Sequence, residues 1–78
     1  GRDRFLRNVL IAIGNSGDAT LASAAEPHLS DASPLVRGMA VWALSKLLSA
    51  AEFASLAARH AGAETDPAVV EEWSFPRS

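Results

Sequence analysis

"PLVRGMAVWALSKL", residues 34–47, opens on a proline that follows a serine and carries an apolar side chain at almost every turn of a helix. Ser33 stands at the capping position. Pro34 takes the first helical position, where a missing N–H costs nothing. The spacing predicts a helix from Pro34 to about Leu48. No segment to either side has the alternating, β-branched pattern of a strand, so the chain reads as all-α.

Upstream, Leu6, Val9, Leu10 and Ile13 follow the i, i+3, i+4, i+7 rule, with Phe5 and Ala12 beside them. A first helix is expected from about 3 to 13. The stretch "GNSGD", residues 14–18, then reads as a turn. Gly14 is expected in the left-handed position that ends the helix, and Asn15 tolerates the same region. Gly17 tightens the turn, and the Asp18 carboxylate caps the next helix. It is not a Walker loop, because the G-x-x-x-x-G-K-[ST] spacing and its lysine are missing. A second helix, about 19–29, would bury Leu21, Ala25 and Leu29 and be kinked at Pro27.

Downstream, Ser49 and Glu52 have the S-x-x-E spacing of a capping box. They open a fourth helix, about 50–61, with Phe53, Leu56, Ala57 and His60 on one face and Gly62 placed to end it. Asp66 and Pro67 repeat the device of Ser33 and Pro34 and start a short helix, about 67–73, through Val69, Val70 and Trp73. Residues 74–78 read as a frayed tail.

The devices recur. Pro34 and Pro67 are 33 apart, His28 and His60 are 32 apart, and "AIG" at 12–14 matches "ALS" at 43–45 at an offset of 31. A period near this value, made of two helices and two turns, marks an α-solenoid. The chain therefore reads as one domain over 1–73 with about two to two and a half helical-hairpin repeats.

Composition bounds the function. The chain has 78 residues and is 49% hydrophobic without a membrane-length apolar run or signal peptide, so a soluble, cytoplasmic setting is expected. It has no cysteine, which removes disulfides, thiolate metal sites and thiol nucleophiles. Net charge is −2 but uneven: Arg2, Arg4 and Arg7 are near the start, and Glu52, Glu64, Asp66, Glu71 and Glu72 load the last third. The chain begins on Gly1 with a helix starting at once, which suggests a piece of a longer protein. Ser, His and Asp occur without a nucleophile elbow, adjacent Glu71 and Glu72 point apart, and His28 and His60 lie a repeat apart without a third ligand. No catalytic residue, cofactor site or metal site is expected here.

Helix three resembles the second helix of a HEAT-like repeat, through Val36, Arg37, Ala40, Ala43, Leu44 and Leu47. "RDRFLRNVLIAIGNSGD" followed by "SPLVRGMAVWALSKL" is similar to the C-terminal HEAT-like region of bacterial epoxyqueuosine reductases, strongly over residues 2–48. That resemblance implies a parent that binds cobalamin and two 4Fe-4S clusters in an upstream catalytic domain. It also implies a role for this segment in holding tRNA for reduction of the wobble base.

On that reading Arg4, Arg7, Asn8 and Asn15, which gather with Ile11 on one face of helix one, are candidate RNA contacts, and so is Arg2 near its start. At an offset of 31, Trp42 and Lys46 would continue the surface. Arginine forks bind phosphate, and aromatic faces stack on bases. Trp42 has the alternative of packing between helices, and the arginines the alternative of facing solvent or the upstream domain. Arg37 would pair with Asp31 or Asp18. The other functional class is a protein–protein scaffold whose acidic end suits a basic partner.

Overall fold

The computed structural model describes residues 1–75 and is all-helical. α1 spans Arg2–Asn15, α2 Ala22–Ala25, α3 Pro34–Leu47, α4 Ala50–His60 and α5 Pro67–Ser74. 3-10 turns occupy Ala19–Leu21, Glu26–Ser30 and Ala61–Ala63. α3 is the central element of the fold. α3 lies against α1 and α5, and is covered by the 22–30 segment and by α4. Leu10, Ala25, Val36, Ala40, Ala43 and Leu44 are fully buried in the resulting core. None of the described helices is long and apolar enough to cross a membrane.

The caps explain most boundaries. Asp18 accepts from the Thr20 N–H at 3.0 Å and from its hydroxyl at 2.6 Å. Asp66 accepts from the Ala68 and Val69 N–H groups at 2.9 and 3.3 Å. The capping box is complete, with Glu52 N–H donating to Ser49 Oγ at 3.1 Å and Ser49 N–H donating to Glu52 Oε1 at 2.9 Å. Ser33 holds the N-cap position of α3, but its hydroxyl makes no capping bond. Its own N–H donates instead to Asp31 Oδ2 at 2.9 Å. Ser49→Ala is therefore expected to lower stability by about 1 kcal/mol and Ser33→Ala by much less, a contrast that paired thermal melts will read.

Several expectations need correction. Gly14 does not end α1, which runs on to Asn15. Among the described residues the positive φ belongs to Gly17 alone, at 68°, so neither Gly14, Asn15 nor Gly62 adopts a left-handed turn. Residues 19–30 are not one helix. Pro27 removes a helical donor in the middle, and the chain falls into two 3-10 turns around four α-helical residues. Leu21 is 36% exposed, since the first 3-10 turn rotates it away from Ala25 and Leu29. α3 stops at Leu47, with Leu48 extended behind it. α4 ends at His60 and tightens into a 3-10 turn through Gly62. α5 reaches Ser74, whose hydroxyl donates to Val70 O at 3.1 Å, so the frayed tail does not begin there. Residues 76–78 of that tail lie outside the described residues.

A candidate nucleic-acid interface on α1

Helical periodicity gathers Arg4, Arg7, Asn8, Ile11 and Asn15 on one face of α1, since residues three and four apart lie above one another. Leu10 and Gly14 are buried against the rest of the molecule, which turns that face outward. Arg4, Arg7, Asn8 and Asn15 are all exposed, and Ile11 is half-buried between them. Arg7 Nη1 donates to Asn8 Oδ1 at 3.5 Å. Arg4 has no ion-pair or hydrogen-bond partner among the described residues. Both guanidinium forks can thus take an incoming anion without first breaking an ion pair.

Arg2 is different. It donates to both carboxylate oxygens of Asp31, with the longer contact 3.3 Å, and Nη1 also meets Asp3 Oδ1 at 3.0 Å. Its guanidinium joins the start of α1 to the turn before α3. The Asp31 carboxyl is held below its ordinary range, first by the Arg2 hydrogen bond and then by the Ser33 N–H.

Arg37 also has structural partners, though not the carboxylates expected. Nε and Nη2 grip Glu64 Oε1 and Oε2, each at 2.9 Å, and Nη1 donates to the carbonyls of Asp31 at 2.9 Å and Ala32 at 3.1 Å. Arg2 already holds the Asp31 carboxylate, and Asp18 is committed to Thr20. Glu64 escaped the sequence reading, yet it lies 33 residues after Asp31, the offset of the two prolines. The likeness is geometric. Each acid accepts the N–H two residues on, Ser33 for Asp31 and Asp66 for Glu64, both at 2.9 Å, and each is gripped by an arginine of an earlier long helix.

Trp42 is half-buried between helices rather than free to stack on a base. A Cβ built on Gly14 would overlap the edge of its indole, with Cε3 only 3.0 Å away, so Gly14 is required by the α1–α3 contact. The indole also lines an apolar groove with Leu35, Gly38, Met39 and Val69. Lys46 is exposed one turn further along α3. The structure therefore separates the predicted surface into an open basic face on α1, an exposed Lys46, and two packing residues, Arg2 and Trp42.

Elsewhere, His60 stacks on Trp73 at 6.1 Å with the rings 5° from parallel, and Phe53 packs on the same indole at 5.3 Å. No group of three or more His, Cys, Asp or Glu among the described residues could hold a metal ion. No family model matches this chain, and no curated protein or solved structure matches it either.

Proposed function

We propose that this chain is a HEAT-like helical-repeat module that holds tRNA through the open face of α1, as the C-terminal region of an epoxyqueuosine reductase would. The repeat reading is supported by the two matching turns around Asp31 and Glu64. The observation that carries the RNA reading is the state of the arginines: Arg2 and Arg37 have acidic partners, whereas Arg4 and Arg7 are exposed and form no ion pair among the described residues.

Mechanistically the module would position and not react. Guanidinium forks of Arg4 and Arg7 would take successive phosphates, and the amides of Asn8 and Asn15 would reach sugar or phosphate oxygens on the same side. Lys46 would add a further, sequence-independent charge. The iron–sulfur clusters of such a parent require thiolate ligands that this chain lacks, having no cysteine, so they would belong to the upstream catalytic domain, where the resemblance also places the cobalamin. No chemical step is assigned to these residues.

Labelled tRNA titrated with the chain at low salt tests the reading. Arg4→Ala and Arg7→Ala are each expected to weaken binding several-fold, and Arg59→Ala, on the exposed side of α4, to leave it unchanged. Equal affinity in all three would remove the assignment.

The groove between α3 and α5 favours a second reading, a protein-binding scaffold. Leu35, half exposed, and Trp42 would seat an apolar side chain there. On that reading Leu35→Asp abolishes partner capture and leaves tRNA binding alone.

A further inference from the structure

Gly38 stands inside α3 without a packing reason. Glycine is among the poorest residues for a helix interior, and Gly14 in α1 is required by the indole pressed against it. Gly38 has no such neighbour: a Cβ built there meets only Val69 Cγ2 at 3.8 Å, an ordinary contact. The flanking helices carry long side chains at the matching positions, Arg7 at the offset of 31 and Glu71 at the offset of 33. What the missing side chain leaves is space. Gly38 forms part of the groove between α3 and α5, which has a volume of about 260 Å³, with Leu35, Met39 and Trp42 on one bank and Val69 and Glu72 on the other. That is just below the ~300–1,000 Å³ of a small-molecule pocket and suits one large apolar side chain. Both banks belong to this chain, so the groove is not the open end of a stack of helices.

Charge narrows the occupant. Among the described residues that line the groove, Glu72 alone is charged. Glu71 and Glu72 follow Ala68, another lining residue, by three and four positions, so the two carboxylates flank its stripe one turn along α5. The basic face of α1 lies beyond α3, which packs against both helices. An acidic lip disfavours phosphate and favours a cation. We propose that the groove takes an apolar side chain of a partner protein with lysine or arginine next to it, the apolar group seated over Gly38 and the cation at Glu71 and Glu72.

This proposal rests on the scaffold reading, to which it gives a partner of defined chemistry, and is independent of the RNA reading. One apolar contact and one exposed ion pair bind weakly, with Kd for a short peptide on the order of 1 mM.

Short capped peptides with a central leucine between lysines, titrated into the whole isotope-labelled chain and read by NMR, test it. The Gly38 amide and Trp42 indole N–H signals are expected to move and saturate. The same peptide with glutamate for lysine, or with alanine for leucine, should bind several-fold more weakly. Gly38→Leu fills the groove and should abolish the movement at Trp42, with the melting temperature unchanged or raised because leucine is the better helix former. Glu71→Gln with Glu72→Gln should erase the preference for lysine over glutamate and keep that for leucine over alanine. This double variant decides if Gly38→Leu fails to fold. A Gly38→Leu chain that binds as the unaltered one does overturns the proposal. Equal binding of the lysine and glutamate peptides overturns it too, but leaves the scaffold reading standing, whereas no movement with any peptide removes both. The same signals moving more with an oligouridylate at equal concentration, or on concentrating the chain alone, would put RNA or a second copy in the groove and also overturn it.

Discussion

Arg37→Ala will lower the stability of this chain by about 2–4 kcal/mol, somewhat below the ~3–5 kcal/mol for breaking a fully buried ion pair. The Arg37 side chain is 17% exposed and that of Glu64 7%. Truncating the arginine leaves the Glu64 carboxylate under cover with only the Thr65 and Asp66 N–H groups. Small domains have roughly 0.05–0.15 kcal/mol of stability per residue, or about 4–12 kcal/mol here, so the loss is a large fraction of the total. Replacing both partners, as Arg37→Met with Glu64→Leu, should restore most of it, because neither charge is then buried alone. Chemical denaturation of the three variants reads the difference.

The same pair makes stability depend on acid. Glu64 is held below its ordinary value of 4.5, chiefly by its hydrogen bonds from Arg37, with burial opposing. Between the folded and unfolded values the unfolded chain binds more protons. Stability is therefore full above the unfolded value and falls as pH drops through the folded one. Asp31, Asp18 and Glu52 are depressed too and act in the same direction. The melting temperature should fall as pH is lowered from about 5. Arg37→Ala should show a shallower fall, since Glu64 then loses the main cause of its depression.

Leu44→Ala is the second large effect. Leu44 is fully buried on α3, the helix that all the others pack on, and a leucine-to-alanine cavity costs about 2–5 kcal/mol. In a chain this small, such a cost is a large fraction of the total stability and moves the unfolding midpoint to clearly lower denaturant. Phe5→Ala removes more carbon but from a side chain in solvent, and should shift the same midpoint by no more than about 0.5 kcal/mol. A large loss in Phe5→Ala would mean that α1 packs the other way round.

These contrasts show what the sequence could and could not tell. Local chemistry was legible: the Asp18 and Asp66 caps, the Ser49–Glu52 box and Pro34 at the first turn depend on residues within one turn of each other, and all stand where the spacing puts them. Gly14 was misread because glycine before a turn has two uses, conformational freedom or close approach, and only the position of Trp42 decides between them. The partner of Arg37 was missed because Asp31 is nearer in sequence. The competing claim of Arg2 on Asp31, which frees Arg37 for Glu64, is a contact across 29 residues. Periodicity placed Phe5 and Val9 with the apolar half of α1 but could not say which part of a wide stripe is covered, and Leu6, Leu10 and Ile13 are the residues packed in the core. For the candidate site, the exposed arginines were legible as a cluster. Arg2 left the cluster only because the fold brings Asp31 to it.

The salt dependence of tRNA binding tests the central claim most directly. Each phosphate contact made by an arginine contributes about 0.7–0.9 to the slope of log K against log salt. The chain is expected to bind with a steep slope, and the Arg4→Ala, Arg7→Ala double variant with one shallower by about 1.5. A double variant with the slope of the unaltered chain, or a chain that does not bind tRNA at low salt, would contradict the account.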